Sequence, residues 1–428
     1  MNIIDTDIAY EVRKLKAPFG FKGSALTGLW QTFVCLKSGQ FSSLGLGVQS
    51  VLWSDSSIFA DFGEEKGNQL MYEVTRFALK QLEAQSFRTP YELIDFILPR
   101  AMEHARKLTG KDDLRQTFVL NSLVPIDLAA WVLYARENHI EDFEAMTRVQ
   151  TAQRQDKLVN IPLVTYHTGI QEVCDLADEG YSLFKIKIGA DPDRDGDPDK
   201  MLEWDKNRLA ELDQVLKQYH TPYTDCRKPV YYLDANGRYD TKERLKELLS
   251  FAERIGILEK IVLLEEPFSE ENKIEVGDLP VCIAADESAH CLEDVKERIQ
   301  LGYRAIALKP IAKTLSMTLR ILSYAQKMGI SCFCADLTVN PNMVEWNKNL
   351  AARLAPIPGM KIGVVESNGA QNYCDWNEML TFHPFYGNKY VGSQNGIYSL
   401  DDEFYRTNGG IFIQPKRILQ MFHLAQER

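Results

Sequence analysis

The chain lacks the signatures of several large classes of protein. Its eight cysteines are scattered and none stands in a C-x-x-C pair. They read as reduced, mostly core cysteines of a cytoplasmic protein. No apolar run approaches the ~20 residues of a membrane span. Met1-Asn2-Ile3-Ile4-Asp5 lacks the basic and apolar regions of a signal peptide. None of the seven histidines forms an H-x-x-x-H pair. There is no Walker loop and no G-x-S-x-G elbow. Gly45-Leu46-Gly47 lacks both the third glycine and the strand–helix context of a dinucleotide fingerprint. Positive charge is also scarce: 49 Lys and Arg against 60 Asp and Glu leave a net charge of -11, which argues against a nucleic-acid partner.

What is present is 428 residues, 45% hydrophobic and 25% charged. That is the composition of a soluble globular protein with one large domain and a smaller one. Residues 1–150 read as an α+β capping domain. It has a strand over 30–37, a strand-and-turn pattern over 41–52, and helices over 68–83, 90–109 and 117–138. Segments 17–28 and 54–67, rich in Gly, Ser and aromatics, read as loops able to close over a mouth. Their polar residues Lys22, Ser24, Thr27, Ser54 and Asp55 point to a hydrophilic substrate.

From residue 151 to 370 the pattern changes. Short apolar segments recur at 161–166, 183–188, 230–234, 261–265, 281–286, 305–309, 331–336 and 361–366, with helical stretches between them. Near-continuous apolar strands alternating with helices predict a buried parallel sheet closed as a (βα)₈-type, TIM-like barrel, here modified. The acidic stretch 191–200 predicts a solvated loop, and residues 371–428 are expected to return to the capping domain.

The charged residues sit where the strands end, the place where such barrels carry their chemistry. Lys185 and Lys187 share one face of the second strand. Asp234, Glu265 and Asp286 end the next three, Lys309 ends the sixth, and Asp336 and Glu366 end the last two. One terminal carboxylate can simply cap the next helix. Three on successive strands between lysines cannot all stay ionised in a barrel mouth without a cation. An all-oxygen donor set favours Mg²⁺ over Zn²⁺. Ala305 and Ala307 share the face of Lys309, which leaves room on that wall. A lysine acts as a base only when neutral, and burial or a neighbouring cation lowers its pKa.

Taken together, Lys185-Ile186-Lys187, Asp234-Ala235-Asn236, Glu265-Glu266-Pro267, Asp286-Glu287-Ser288 and Leu308-Lys309-Pro310 resemble the enolase superfamily, in its mandelate racemase/muconate lactonizing enzyme family. The strand-six lysine is similar to the muconate-lactonizing branch. The resemblance implies Mg²⁺ on Asp234, Glu265 and Asp286. It implies Lys187 as the base, with Lys185 lowering its pKa and touching the substrate carboxylate. Lys309 would be the opposing base or a steadying cation, and segments 17–28 and 54–67 the specificity loops. Glu366 resembles an acid that binds a substrate carboxylate oxygen. The implied chemistry is α-proton abstraction from a small-molecule carboxylate through a metal-stabilised enediolate. The outcome would be racemisation or epimerisation, cycloisomerisation, or dehydration like that of an o-succinylbenzoate synthase. A homo-oligomer is implied as well.

The chain departs from the family pattern in places. Ile311-Ala312-Lys313-Thr314 replaces the usual Gly-Gly, leaving Lys313 as a rival to Lys309. Strand seven ends in Asp336 and lacks the histidine of mandelate-racemase relatives. Asn236 is placed to orient a metal-bound water. Glu266 and Glu287 are expected to point away and support the ligands or pair with lysines. His167 and His290, after strands one and five, are further candidates for substrate contact. Two other readings stay open: a Schiff-base aldolase and a non-catalytic barrel that binds a carboxylated ligand.

Overall fold

The computed structural model describes residues 1–21, 24–150 and 152–426, so Lys22 lies outside the described residues. The N-terminal part is a three-stranded antiparallel sheet in the order β1 (Asp5–Phe21), β2 (Ser24–Ser38), β3 (Phe41–Gln49), covered by helices Ser56–Leu82, Pro90–Thr109 and Gln116–Glu137. Local chemistry sets the ends of the second helix. Thr89 accepts the Glu92 N–H at 3.2 Å, Pro90 starts the first turn, and Gly110 closes it at φ 72°. Helix Gln116–Glu137, at 22 residues, is long and apolar enough to cross a membrane, contrary to the expectation that no such run exists. It is the core of this part of the fold, however, with 94% of its most apolar stretch buried.

Two segments read as loops are regular structure. Residues 17–21 and 24–28 are the ends of β1 and β2, paired Phe19 to Leu26 and Phe21 to Ser24. Residues 56–67 are helical, with a break at Gly63 (φ 76°). Glu64 ties the two segments together by accepting the N–H groups of Thr27 and Gly28, the latter at 2.8 Å.

The remainder is a ten-stranded sheet that curls into the barrel. β4 (Lys157–Ile161) and β5 (Leu163–Val164) form its first stave. Then come β6 (Leu183–Lys187), β7 (Val230–Asp234), β8 (Ile261–Glu265), β9 (Ile283–Ala285), β10 (Ala305–Leu308), β11 (Ser331–Cys334) and β12 (Gly363–Glu366), each parallel to the last. The first stave starts four residues earlier than the apolar pattern suggested and is split at Pro162, which has no N–H to donate. β4 pairs with β12 and β5 pairs with β6, so the split stave closes the ring. Six helices, from Ile170–Asp178 to Pro341–Ala351, lie between successive staves. The crossover from β8 to β9 has none, because Pro267, Gly277 and Pro280 break residues 266–282.

Inside the barrel, Ala284, Ala305 and Ala307 share one buried cluster with Tyr232 and Phe333, whose rings meet edge-on at 5.3 Å. The space left by the alanines is filled by these rings, as in a layered barrel core. After the barrel, β13 (Ile397–Ser399) pairs antiparallel with β4. Farther on, Arg417 reaches Glu11 at 3.1 Å and Gln414 reaches the Ser42 carbonyl at 3.2 Å, so the C-terminal segment touches both parts of the fold. All eight cysteines are free, but only Cys332 and Cys334 are fully buried.

Candidate active site

The strand register gathers the charged residues. Lys185 is the cross-strand partner of Tyr232, Lys187 of Asp234, and Asp234 of Glu265, so all face the same end of the barrel. Lys185 Nζ lies 3.1 Å from Asp234 Oδ2, 3.1 Å from Glu265 Oε1 and 3.3 Å from Glu366 Oε2. It also sits 4.7 Å from the centre of the Tyr232 ring, and the Tyr232 hydroxyl donates to Glu265 Oε2. Burial works against the Lys185 ammonium, but Asp234, Glu265 and Glu366 outweigh it and raise its pKa well above the ordinary value. Lys187 Nζ donates to Asp234 Oδ2 and to Asn236 Oδ1, both at 2.6 Å. Asp234 therefore bridges the two ammonium groups that the sequence sets side by side. Its own carboxyl, which burial would raise, is held below the usual range by Lys185 and Lys187.

On the other side of the acids, Lys309 Nζ donates to Asp286 Oδ2 and lies 4.8 Å from the Trp53 ring centre. Burial disfavours its charge, yet Asp286 and Glu287 raise its pKa above the ordinary value. Lys313 Nζ donates to the carbonyls of Asp286 (2.5 Å) and Ala289 (3.1 Å) and to Asp286 Oδ1 (3.1 Å). Lys313 thus clamps the turn after β9, while Lys309 lines the pocket. Asp286, despite its burial, is held low by Lys309 and Lys313. Glu265 is pushed up to about 7 by burial, against the pull of Lys185 and with Asp286 and Glu287 adding to the rise.

The acids that cluster most tightly are Glu265, Asp286 and Glu287. All are buried, and each offers a carboxylate oxygen within 4.8 Å of the others. Glu287 was expected to point away from the site. It points in because β9 ends at Ala285, so two-residue alternation no longer applies at 286 and 287. Its Oε2 is buried without a hydrogen-bond partner among the described residues, while Oε1 accepts from Asn236 Nδ2 at 3.2 Å. An all-carboxylate donor set with one unpartnered oxygen suits a hard divalent cation such as Mg²⁺. Asp234 is not in this tight group, and its Oδ2 is shared between Lys185 and Lys187. Glu266 does turn aside. Its Oε1 accepts the backbone N–H groups of Asp286 (2.5 Å) and Ser288 (2.9 Å), and burial pushes its carboxyl to about 8.

Lys185, Lys187, Asp234, Glu265, Asp286, Glu287 and Lys309 form the floor of a pocket of about 590 Å³, including its open mouth. Asp336 and Glu366 also line it. The Asp336 N–H donates to Glu366 Oε2 at 3.1 Å, and the Asp336 carboxylate accepts from Asn368 N at 2.8 Å. Burial and then Glu366 push the Asp336 carboxyl to about 6. His167 is exposed, and neither it nor His290 lines the pocket. His290 Nε2 pairs with Glu270 at 2.7 Å instead.

Sequence reasoning missed the other half of the lining: Leu15, Leu29, Ser50, Leu52 and Trp53 from the capping part, Leu26 within a segment read as closing over the mouth but not itself singled out, and Leu163, Leu337, Thr338 and Asn368 from the barrel. Of the polar residues read as substrate contacts, the described ones lie elsewhere. Thr27 is bound by Glu64, Ser54 donates to Asn121 Oδ1 at 3.1 Å, and Asp55 caps its helix by accepting Ser57 N at 3.0 Å; Ser24 does not line the pocket. Tyr232 was findable, since it lies two residues before Asp234 on the same face of β7.

A family model described as enolase C-terminal domain-like matches residues 170–385. No curated protein matches the chain. A mandelate racemase/muconate lactonizing protein from Herpetosiphon aurantiacus is similar in structure, with a TM-score of 0.65 and 17% identity over 94% of this chain and 96% of that one. A dipeptide epimerase from Cytophaga hutchinsonii, solved with Mg and the dipeptide D-Ala-L-Val, gives 0.63 and 15% identity over 86% and 88%. An N-succinyl Arg/Lys racemase from Bacillus cereus gives 0.63 and 13% identity over 87% and 89%.

Proposed function

Because the chain belongs to the enolase superfamily, in the mandelate racemase/muconate lactonizing enzyme family, we propose that it is a Mg²⁺-dependent isomerase or lyase that removes the α-proton of a carboxylate substrate. The observation that carries this reading is the row of buried acids Asp234, Glu265, Asp286 and Glu287, bracketed by Lys187 on β6 and Lys309 after β10. Glu265, Asp286 and Glu287 would hold the ion, with Asp234 at the adjoining strand end. Bound there, Mg²⁺ supplies a compact positive charge where negative charge develops on the substrate carboxylate.

The chain's own residues divide the remaining work. Lys185, fixed by three carboxylates, stays an ammonium and attracts the substrate carboxylate. Lys187 is the base, and Asn236 and Asp234 fix where its Nζ points. Lys309, kept protonated by Asp286, is the proton donor on the far side. A base and an acid on opposite sides serve inversion at the α-carbon, and the same pair serves loss of a β-substituent. A Schiff-base reading fits less well, because it gives the buried acids Glu265, Asp286 and Glu287 no role.

The test is α-proton exchange in D₂O with Mg²⁺ across sugar acids, dipeptides, N-acyl amino acids and cyclohexadiene acids, followed by NMR and mass. Lys187→Ala is expected to lower exchange by about 10²–10⁴-fold, the usual weight of a general base. Lys309→Ala is expected to spare exchange but stop net conversion. Exchange that survives Lys187→Ala undiminished, or a borohydride-trapped adduct at a pocket lysine, overturns the assignment.

A further inference from the structure

The pocket has a charged floor and an apolar roof, and the roof bears on the substrate. From the capping part it is built of Leu15 and Leu26, Leu29, Leu52 and Trp53, none more than 8% exposed. Among the described residues no charged side chain of the capping part lines the pocket. The nearby acids are committed elsewhere: Glu64 holds the backbone of Thr27 and Gly28, and Asp55 caps a helix and accepts Arg115 N at 3.0 Å. The lining's hydroxyl residues, Ser50 and Thr338, are neutral, and the Thr338 hydroxyl is already donated to Asn368 Oδ1 at 2.8 Å.

We infer that the substrate is a carboxylate whose remaining bulk is an uncharged apolar group, aliphatic or aryl, seated under this leucine and tryptophan roof. The inference rests on the reading of the pocket floor as a carboxylate site. A carboxylate anchored among Lys185, Lys187 and the metal places its far end against Leu15, Leu26 and Leu29. An apolar substituent there gains burial at both surfaces. A second carboxylate or an ammonium there loses its water and meets no charged capping side chain among the described residues. The charged side chain of a glutamyl, lysyl or arginyl derivative is therefore disfavoured by the roof.

Calorimetric binding of three acids of equal length to the full-length protein with Mg²⁺ tests this directly: hexanoate, hexanedioate and ω-aminohexanoate. Their anchoring carboxylate is common and only the far end differs. Hexanoate is expected to bind at least about tenfold tighter than either charged-end acid. Leu26→Lys, or Leu29→Lys should the first fail to fold, is expected to reverse the order in favour of hexanedioate. Equal or tighter binding of a charged-end acid to the unmodified protein overturns the inference, and so does failure of all three to bind. Because binding order needs no α-proton exchange, the proposed reaction can fail in D₂O while this inference stands. Equally, exchange that depends on Lys187 but prefers charged-end substrates sinks this inference alone.

Discussion

Glu287 shows how one residue's surroundings set its use. It follows Asp286, lies just past the end of β9, and so turns a carboxylate oxygen into the pocket where no donor among the described residues meets it. A buried unpaired carboxylate oxygen is costly unless a cation meets it. Glu287→Gln is therefore expected to weaken Mg²⁺ binding by about tenfold or more, measured by calorimetry. Binding unchanged within error would remove Glu287 from the metal site. Lys309 and Lys313 make a parallel case. Both touch Asp286, but Lys309 faces the pocket beneath Trp53 whereas Lys313 is spent on two backbone carbonyls. The Asp286 carbonyl keeps the Ala289 N–H, so Lys313→Met should destabilise the fold by about 1–3 kcal/mol through the Ala289 carbonyl left without its donor, read as a lower denaturation midpoint. A variant of normal stability would contradict that structural role.

Among the elements, β3 lies directly against helix Gln116–Glu137. A Cβ on Gly45 would lie 1.8 Å from the Pro125 carbonyl oxygen, and one on Gly47 would lie 2.7 Å from Pro125 Cδ. These glycines, which superficially suggest a nucleotide-binding loop, instead let a strand lie directly on a helix. Gly45→Ala is expected to destabilise by at least about 1–3 kcal/mol in chemical denaturation; a neutral result would mean that the two elements slide apart freely. The same helix joins the capping part to the barrel. Asp127 accepts from Ser316 N at 3.0 Å and from the Ser316 hydroxyl, which itself accepts from Trp131 Nε1 at 3.0 Å. That junction helps hold the apolar roof over the charged floor.

Across the whole molecule, buried acids whose charge burial disfavours dominate the response to pH. Burial, with local charges, pushes Asp127 to about 6, Asp205 to about 7, Glu265 to about 7, Glu266 to about 8 and Asp336 to about 6. Between about pH 5 and 8 the native state therefore binds more protons than the unfolded chain, so stability falls as pH rises. Asp234 and Asp286, held low, are ionised in both states across this window and do not alter the slope. Mg²⁺ needs ionised ligands, so its stabilisation grows over the same range. The expected outcome is a thermal midpoint that drops by several degrees from about pH 5 to 8 in EDTA and drops less with Mg²⁺. A midpoint that rises with pH in EDTA, or a Mg²⁺ effect no larger at high pH, would refute this account.

The sequence by itself determined the barrel and the charged ends of its staves. Strands buried on both faces read as apolar runs, and a two-residue period carries a face reliably while the strand lasts. Hence Lys185, Lys187, Asp234 and Glu265 were legible in order. Where strands ended, that guide stopped, and the inward turn of Glu287 and the diversion of Lys313 to backbone carbonyls came only from the path of the chain after β9 and β10. The split first stave at Pro162 was hidden because Lys157 and Asn160 interrupt its apolar run. The regular structure of 17–21, 24–28 and 56–67 was hidden because glycines and small polar residues mimic loops. Which residues make the roof was decided by tertiary structure: segment 17–28 was read as closing over the mouth, but through its polar residues and not through Leu26. Leu15, Leu26, Leu29, Leu52 and Trp53 carry no local mark that separates a pocket wall from a core, and they meet Lys309 and Glu366 only because the capping sheet packs across the mouth of a barrel more than a hundred residues away in sequence.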